Sequence, residues 1–258
     1  MTVRDGSVHF EIQLADVKLN ECALPLPDPA IPLCRLQQAP HGQYEAVLST
    51  MDIYKGGDGT KVAAQQLSVL LARASAFLNA RVFPERYMGE ELPLPPDGQT
   101  DQTSYGVTAS RGISIDLAPS ELRAVEKTEL KNLIRLSSLS HGPYDFVLVV
   151  FRTAVTQPEA LGRFMLLYQC LLQIEGDQQN AIEEQIRHLR PRVPLFPNPR
   201  KAGTEETVFT KLRNEVSHPR TGVSVNETLD GIERNVDEFR TLVHESLLEK
   251  IIKPMLIL

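Results

Sequence analysis

Residues 119–139 read PSELRAVEKTELKNLIRLSSL, and the character of the chain changes across them. Ser120, directly after Pro119, is a candidate N-cap, since its hydroxyl can accept from a first-turn N–H. Upstream, apolar residues alternate. Val8, Phe10, Ile12 and Leu14 predict a half-buried strand. Residues 44–54, YEAVLSTMDIY, predict another, ended by Gly56, Gly57, Asp58 and Gly59. Residues 61–80 place Val62, Leu67, Leu70, Leu71, Ala74 and Leu78 on one helical stripe. Val107, Ala109, Ile113 and Ile115 predict one or two strands within 105–117.

Downstream the period is helical. Residues 144–151, YDFVLVVF, suit a strand or a buried helix equally. Residues 158–175, PEALGRFMLLYQCLLQIE, open with proline at a favoured first-turn position, and 177–190 continue as a polar-faced helix. A proline loop follows at 191–199. Thr204, Glu205 and Glu206 are expected to open the next helix, because acidic groups suit a helix N-terminus. Pro219 ends that helix at His218, since the residue before proline is pushed from the α region. Residues 226–250 carry Leu229, Ile232, Val236, Phe239, Val243 and Leu247 as a last stripe. The expected architecture is a small α+β domain over 1–118, followed by an all-α helical bundle over 119–258.

Composition sets outer bounds. A chain of 258 residues with 42% hydrophobic residues can bury a core without disulfide staples. No apolar run is long enough to cross a membrane, and the start, MTVRDGSVHFEIQ, lacks an apolar leader. Cys22, Cys34 and Cys170 cannot all pair within one chain, and none forms a CxxC. These features predict a soluble cytoplasmic protein without a cofactor. No Asp, Glu, His or Cys cluster has metal-ligand spacing, so no metal is expected. The glycines of KGGDGTK precede a helix but do not match the phosphate-loop spacing.

The net charge is −6, yet residues 185–220 hold eight Lys and Arg against Glu205, Glu206 and Glu215. A basic stretch in an acidic protein is a candidate phosphate-contacting surface. Arg187, Arg190, Arg192, Lys211 and Arg220 are its expected RNA-binding residues. Within it, residues 211–220 read KLRNEVSHPR. Asn214 and His218 share a helix face, whereas Arg213 and His218 are about 140° apart on an ideal helix. Loosening at His218 before Pro219 would let them converge. Histidine titrates near neutrality and serves as general acid or base, and a guanidinium holds phosphate bidentately. Glu215, two residues from Arg213, is a candidate partner that would partly neutralise it.

The string LRNEVSHPR on the penultimate long helix resembles the HEPN superfamily of nucleotide-binding and RNA-cleaving helical domains. The family pattern is an arginine, usually a polar residue, a short spacer and a histidine, which Arg213, Asn214 and His218 match. Residues 162–176, GRFMLLYQCLLQIEG, resemble the family's helix beside the motif. The chain also faintly resembles MauJ-like proteins of methylamine-utilisation operons. The HEPN resemblance implies a metal-independent endoribonuclease, toxin- or defence-like in type, acting as a homodimer. In it the motifs of both chains meet in one cleft, and the ribose 2′-OH attacks the adjacent phosphate. His218 would handle the proton, Arg213 with His218 would contact the phosphate, and Asn214 would orient His218. Toxin members paired with a nucleotidyltransferase antitoxin carry a modified tyrosine two residues after the histidine; here that residue is Arg220. The second implied reading is an inactive module binding nucleotide, RNA or a protein partner. In the nuclease reading, residues 1–118 would sense, recruit or restrain, with a ligand or a protein as their partner.

Overall fold

The computed structural model describes residues 6–39, 43–50, 58–83, 86–91, 122–218 and 222–257. The expected strands within 105–117, the expected cap Ser120, and Gly56 and Gly57 lie outside the described residues. The chain divides into two compact units, Met1–Asp145 and Phe146–Leu258. The division therefore falls later than the boundary expected near 118.

The first unit is built on a five-stranded antiparallel sheet. Its strands are β1 (Gly6–Ile12), β4 (Cys22–Pro25), β5 (Leu33–Gln38), β6 (Tyr44–Thr50) and β8 (Arg86–Glu91), ordered β4-β5-β6-β1-β8. Short strands β2 (Leu14–Ala15), β3 (Val17–Lys18), β7 (Arg81–Val82) and β9 (Arg123–Ala124) form two small ladders beside it. Alternation puts one set of side chains on one face. Val8, Phe10 and Ile12 oppose Leu48, Ala46 and Tyr44, and all six are buried. Helix α1 (Asp58–Leu78) adds Leu67, Leu70, Leu71 and Leu78 to that core, as its stripe predicts. Tyr44 is the polar exception, and its hydroxyl accepts from the Leu19 N–H at 2.9 Å and donates to the Leu19 carbonyl at 3.1 Å.

Helix α2 (Lys127–Ser137) belongs to this unit because it delivers Leu133 into the same core. It starts seven residues after the expected cap. The Glu129 carboxylate accepts from the Glu126 N–H at 2.9 Å and pairs with Arg123 at 2.7 Å. That pairing holds the Glu129 carboxyl below its ordinary range. At its far end α2 meets Arg73 of α1, which is 2% exposed. The Arg73 guanidinium donates to the Leu136, Leu139 and Ser140 carbonyls at 2.8–2.9 Å and to both Asp145 oxygens at 2.9 and 3.0 Å. One side chain thus serves a carbonyl of the last turn of α2 and two of the connection that follows it. His141 extends the cluster, bonding Gln66 at 2.9 Å and approaching Asp145 at 3.3 Å.

The second unit is helical. It contains α3 (Asp145–Thr156) beyond its first residue, α4 (Ala160–Ile174), α5 (Gln179–Leu189), α6 (Val208–Ser217) and α7 (Val225–Leu247). A π-turn (Leu248–Ile252) and α8 (Lys253–Ile257) end it. The ambiguous run 144–151 is helical from Asp145 onward, and Val147, Leu148 and Phe151 are buried. The core is aromatic at its centre, with Phe239 stacked on Phe209 at 4.7 Å and tilted against Phe164 at 4.9 Å. Residues 204–206 do not open a helix. Strand β11 (Glu205–Thr207) instead pairs antiparallel with β10 (Leu195–Pro197), so the proline segment is a hairpin. Among the described residues, no helix is long and apolar enough to cross a membrane.

Burial pushes the Cys34 and Cys170 thiols far up, and half-buried Cys22 less deeply covered is raised as well. Thiolate is the reactive form. Iodoacetamide should therefore label Cys22 first in the folded protein, and Cys34 and Cys170 only after denaturation. Mass spectrometry of timed samples checks this, and equal native rates would contradict the core.

Candidate active site

Helix α6 carries the motif and is gripped at its start. Thr207 caps it, with Oγ1 accepting from the Thr210 N–H at 3.4 Å. The Thr207 N–H donates to both oxygens of Glu183 on α5, at 3.2 and 3.1 Å. The Val208 N–H donates to the Pro194 carbonyl at 3.0 Å. Midway, Gly231 of α7 lets the helices close, since a Cβ there would stand 2.7 Å from Leu212 Cδ2. At the end, His218 leaves the helix with φ −147° and ψ 94°, its N–H still donating to the Asn214 carbonyl at 2.8 Å. The following proline accounts for that extended backbone.

Arg213 is held from two sides by uncharged groups. Its Nη1 donates to Asn214 Oδ1 at 3.2 Å. Its guanidinium carbon lies 5.6 Å from the centre of the Tyr168 ring on α4. Burial pushes the Tyr168 phenol up, against the lowering by its Thr210 and Gln179 hydrogen bonds and the Arg213 charge. A neutral phenol offers its π-face to the cation without cancelling the charge. Gln179 Nε2 donates to the Tyr168 hydroxyl at 2.7 Å, and Thr210 Oγ1 is 3.2 Å away. Behind Asn214 stands Glu206, which is 1% exposed and accepts from Asn214 Nδ2 at 3.0 Å. A carboxylate polarising the amide makes its oxygen the stronger acceptor for Arg213.

Glu215 does not partner Arg213. It lies 2.9 Å from Lys211 Nζ and accepts from Thr228 Oγ1 at 3.2 Å. The Asn214 side chain turns to Arg213 and Glu206, so it orients the arginine and not His218. The buried carboxylate of Glu206 needs a donor, and Asn214 is within reach. His218 is exposed, and its ring makes no side-chain hydrogen bond among the described residues.

The expected RNA-binding residues separate into two groups. Arg190 is a structural tie, because both Nη atoms donate to Glu245 of α7, at 2.7 and 3.1 Å. Those bonds raise its guanidinium above the ordinary value. Lys211 is engaged by Glu215 and lies 5.0 Å over the Phe196 ring. Arg187 is exposed but spends one Nη on the Glu205 carbonyl at 3.1 Å. Arg192 is exposed, and Arg220 lies outside the described residues. Two residues that the spacing did not single out are Tyr168 and Glu206. Tyr168 sits on the apolar stripe of 158–175 and reads there as core. Among the described residues, no group of three or more His, Cys, Asp or Glu is placed to hold a metal ion.

Comparison with protein-family models, curated proteins and solved structures returns no match.

Proposed function

We propose that the second unit is a metal-independent endoribonuclease of HEPN type, with Arg213 and His218 at its reacting centre. The observation that carries the proposal is the setting of Arg213. It has no ion pair among the described residues, it is contacted by Asn214 and the Tyr168 ring, and an exposed histidine ends the same helix. A guanidinium so placed stabilises charge that develops on a phosphate during reaction.

In the reaction, His218 removes the proton of a ribose 2′-OH. The 2′-oxygen attacks the adjacent phosphorus, the P–O5′ bond breaks, and the 5′-oxygen takes a proton. The products are a 2′,3′-cyclic phosphate and a 5′-OH. Arg213 holds the non-bridging oxygens throughout. A second copy of the chain completes the cleft, so that each phosphate meets both motifs.

The test is cleavage of RNA in EDTA with end-group analysis of the products. Cleavage leaving 2′,3′-cyclic ends is expected, from a protein that sediments as a dimer. Metal-dependent cleavage leaving 3′-OH ends would overturn the mechanism. No cleavage of single-stranded or structured RNA would move the assignment to the inactive binding module.

A further inference from the structure

The hairpin between α5 and α6 has a charge distribution that the motif does not explain. Its turn is tightly made. The Asn198 N–H donates to the Thr204 carbonyl at 2.9 Å, and Asn198 Oδ1 accepts from the Arg200 N–H at 2.9 Å. Gly203 has φ +78°, a conformation that favours glycine. This turn presents Arg200 and Lys201 as adjacent, exposed cations at the tip. Arg192, at the other end of β10, is exposed too. None of the three has a side-chain ion pair among the described residues, in contrast to Arg190 and Lys211 nearby.

Between these cations the segment 193–199, VPLFPNP, is uncharged. Leu195 is 41% exposed, and Pro194 and Pro197 are exposed beside it. An open depression lined by Arg187, Pro197, Gly203, Thr204 and the acidic Glu205 adjoins the turn. Cations at both ends with an apolar stretch between them fit an extended polyanion that carries apolar faces along its length. A single phosphate needs only one end, and an acidic peptide gains nothing from the middle. Single-stranded RNA offers both parts, as phosphates on one edge and unpaired bases on the other. The prolines hold the segment extended before binding, which lowers the ordering cost.

We propose that the hairpin 195–207, with Arg192 at its base, is a binding arm for single-stranded RNA. The arm is joined to the motif by its inner strand. Glu206 on β11 holds Asn214, which holds Arg213, and Thr207 caps the motif helix. RNA seated on the arm is thereby fixed relative to the Arg213 guanidinium. The proposal rests on the RNA reading of this unit but not on its cleaving RNA.

The test is fluorescence polarisation with a labelled 2′-O-methyl oligouridylate, which cannot be cleaved by 2′-oxygen attack, across a range of NaCl concentrations. Full-length Arg200→Glu/Lys201→Glu should bind at least about tenfold more weakly than the natural chain, and its salt slope should fall by about 1.4, or about 0.7 per phosphate lost. Arg200→Gln/Lys201→Gln should show the same slope change with a smaller loss. Both variants should keep the natural circular dichroism, because the altered side chains are exposed. Unchanged binding and slope, no binding by the natural chain, tighter binding of duplex RNA, or equal competition by polyglutamate would each overturn the arm. Oligouridylate binding without cleavage of ordinary RNA would refute the nuclease and keep the arm. Cleavage with undiminished binding by the double variant would do the reverse.

Discussion

Replacing His218 with alanine should cut single-turnover RNA cleavage by about 10²–10⁴-fold, the usual worth of a positioned general acid or base. The imidazole is exposed and makes no side-chain bond among the described residues, so packing gives no reason for the fold to change. Surface substitutions of this kind usually stay within about 0.5 kcal/mol of neutral. The melting temperature should therefore barely move while the rate collapses. Arg213→Ala should lose rate as well, but it also uncovers one face of Tyr168 and frees Asn214. Its stability should fall measurably. The contrast between the two variants is the informative result. A His218→Ala protein that still cleaves at the natural rate would remove the residue from the mechanism.

Arg73→Met should produce the largest loss of stability in the chain, about 3–5 kcal/mol, as expected when one member of a buried ion pair is removed. The methionine fills much of the volume but donates nothing. Asp145 would be left as a buried carboxylate, and the Leu136, Leu139 and Ser140 carbonyls would lose their shared donor. A loss of this size is a large part of ordinary domain stability, about 5–15 kcal/mol. Urea unfolding of the full chain should show an early transition for this variant. Arg73→Lys should recover only part of the loss, since one ammonium cannot reproduce the planar fork. A shift below about 1 kcal/mol would show that water replaces these bonds without cost.

Some of this was legible in the residues and some was not, for physical reasons. The alternation of Val8, Phe10 and Ile12 and the stripe of α1 report burial on one face, which is a local signal. The motif positions were equally local, lying within six residues from Arg213 to His218. Strand β11 was misread because three residues carry no measurable period, and Glu205 and Glu206 suit a helix start as well as an edge strand. Its pairing with β10 is a contact across a turn that only the folded chain shows. Arg73 was unreadable for a stronger reason. An arginine beside an apolar stripe is normally a solvated flank, and its partner Asp145 is 72 residues away. Arg190 was read as a free cation because its acid, Glu245, lies 55 residues away on another helix, whereas Lys211 and Glu215 are four apart on one helix face, so that pairing was legible in the spacing.

The Arg73 cluster bears on synthesis. The ribosome delivers α1 long before Asp145, and until that carboxylate emerges a cation destined for the interior has no counter-charge. The first unit must wait, unfinished, with its guanidinium in water. A gene cut at codon 118 would make this pause permanent, because neither α2 nor Asp145 would ever arrive. Such a fragment should reach the proteases of the cell as an open chain, while one ending just beyond codon 145 carries every group that the cluster needs.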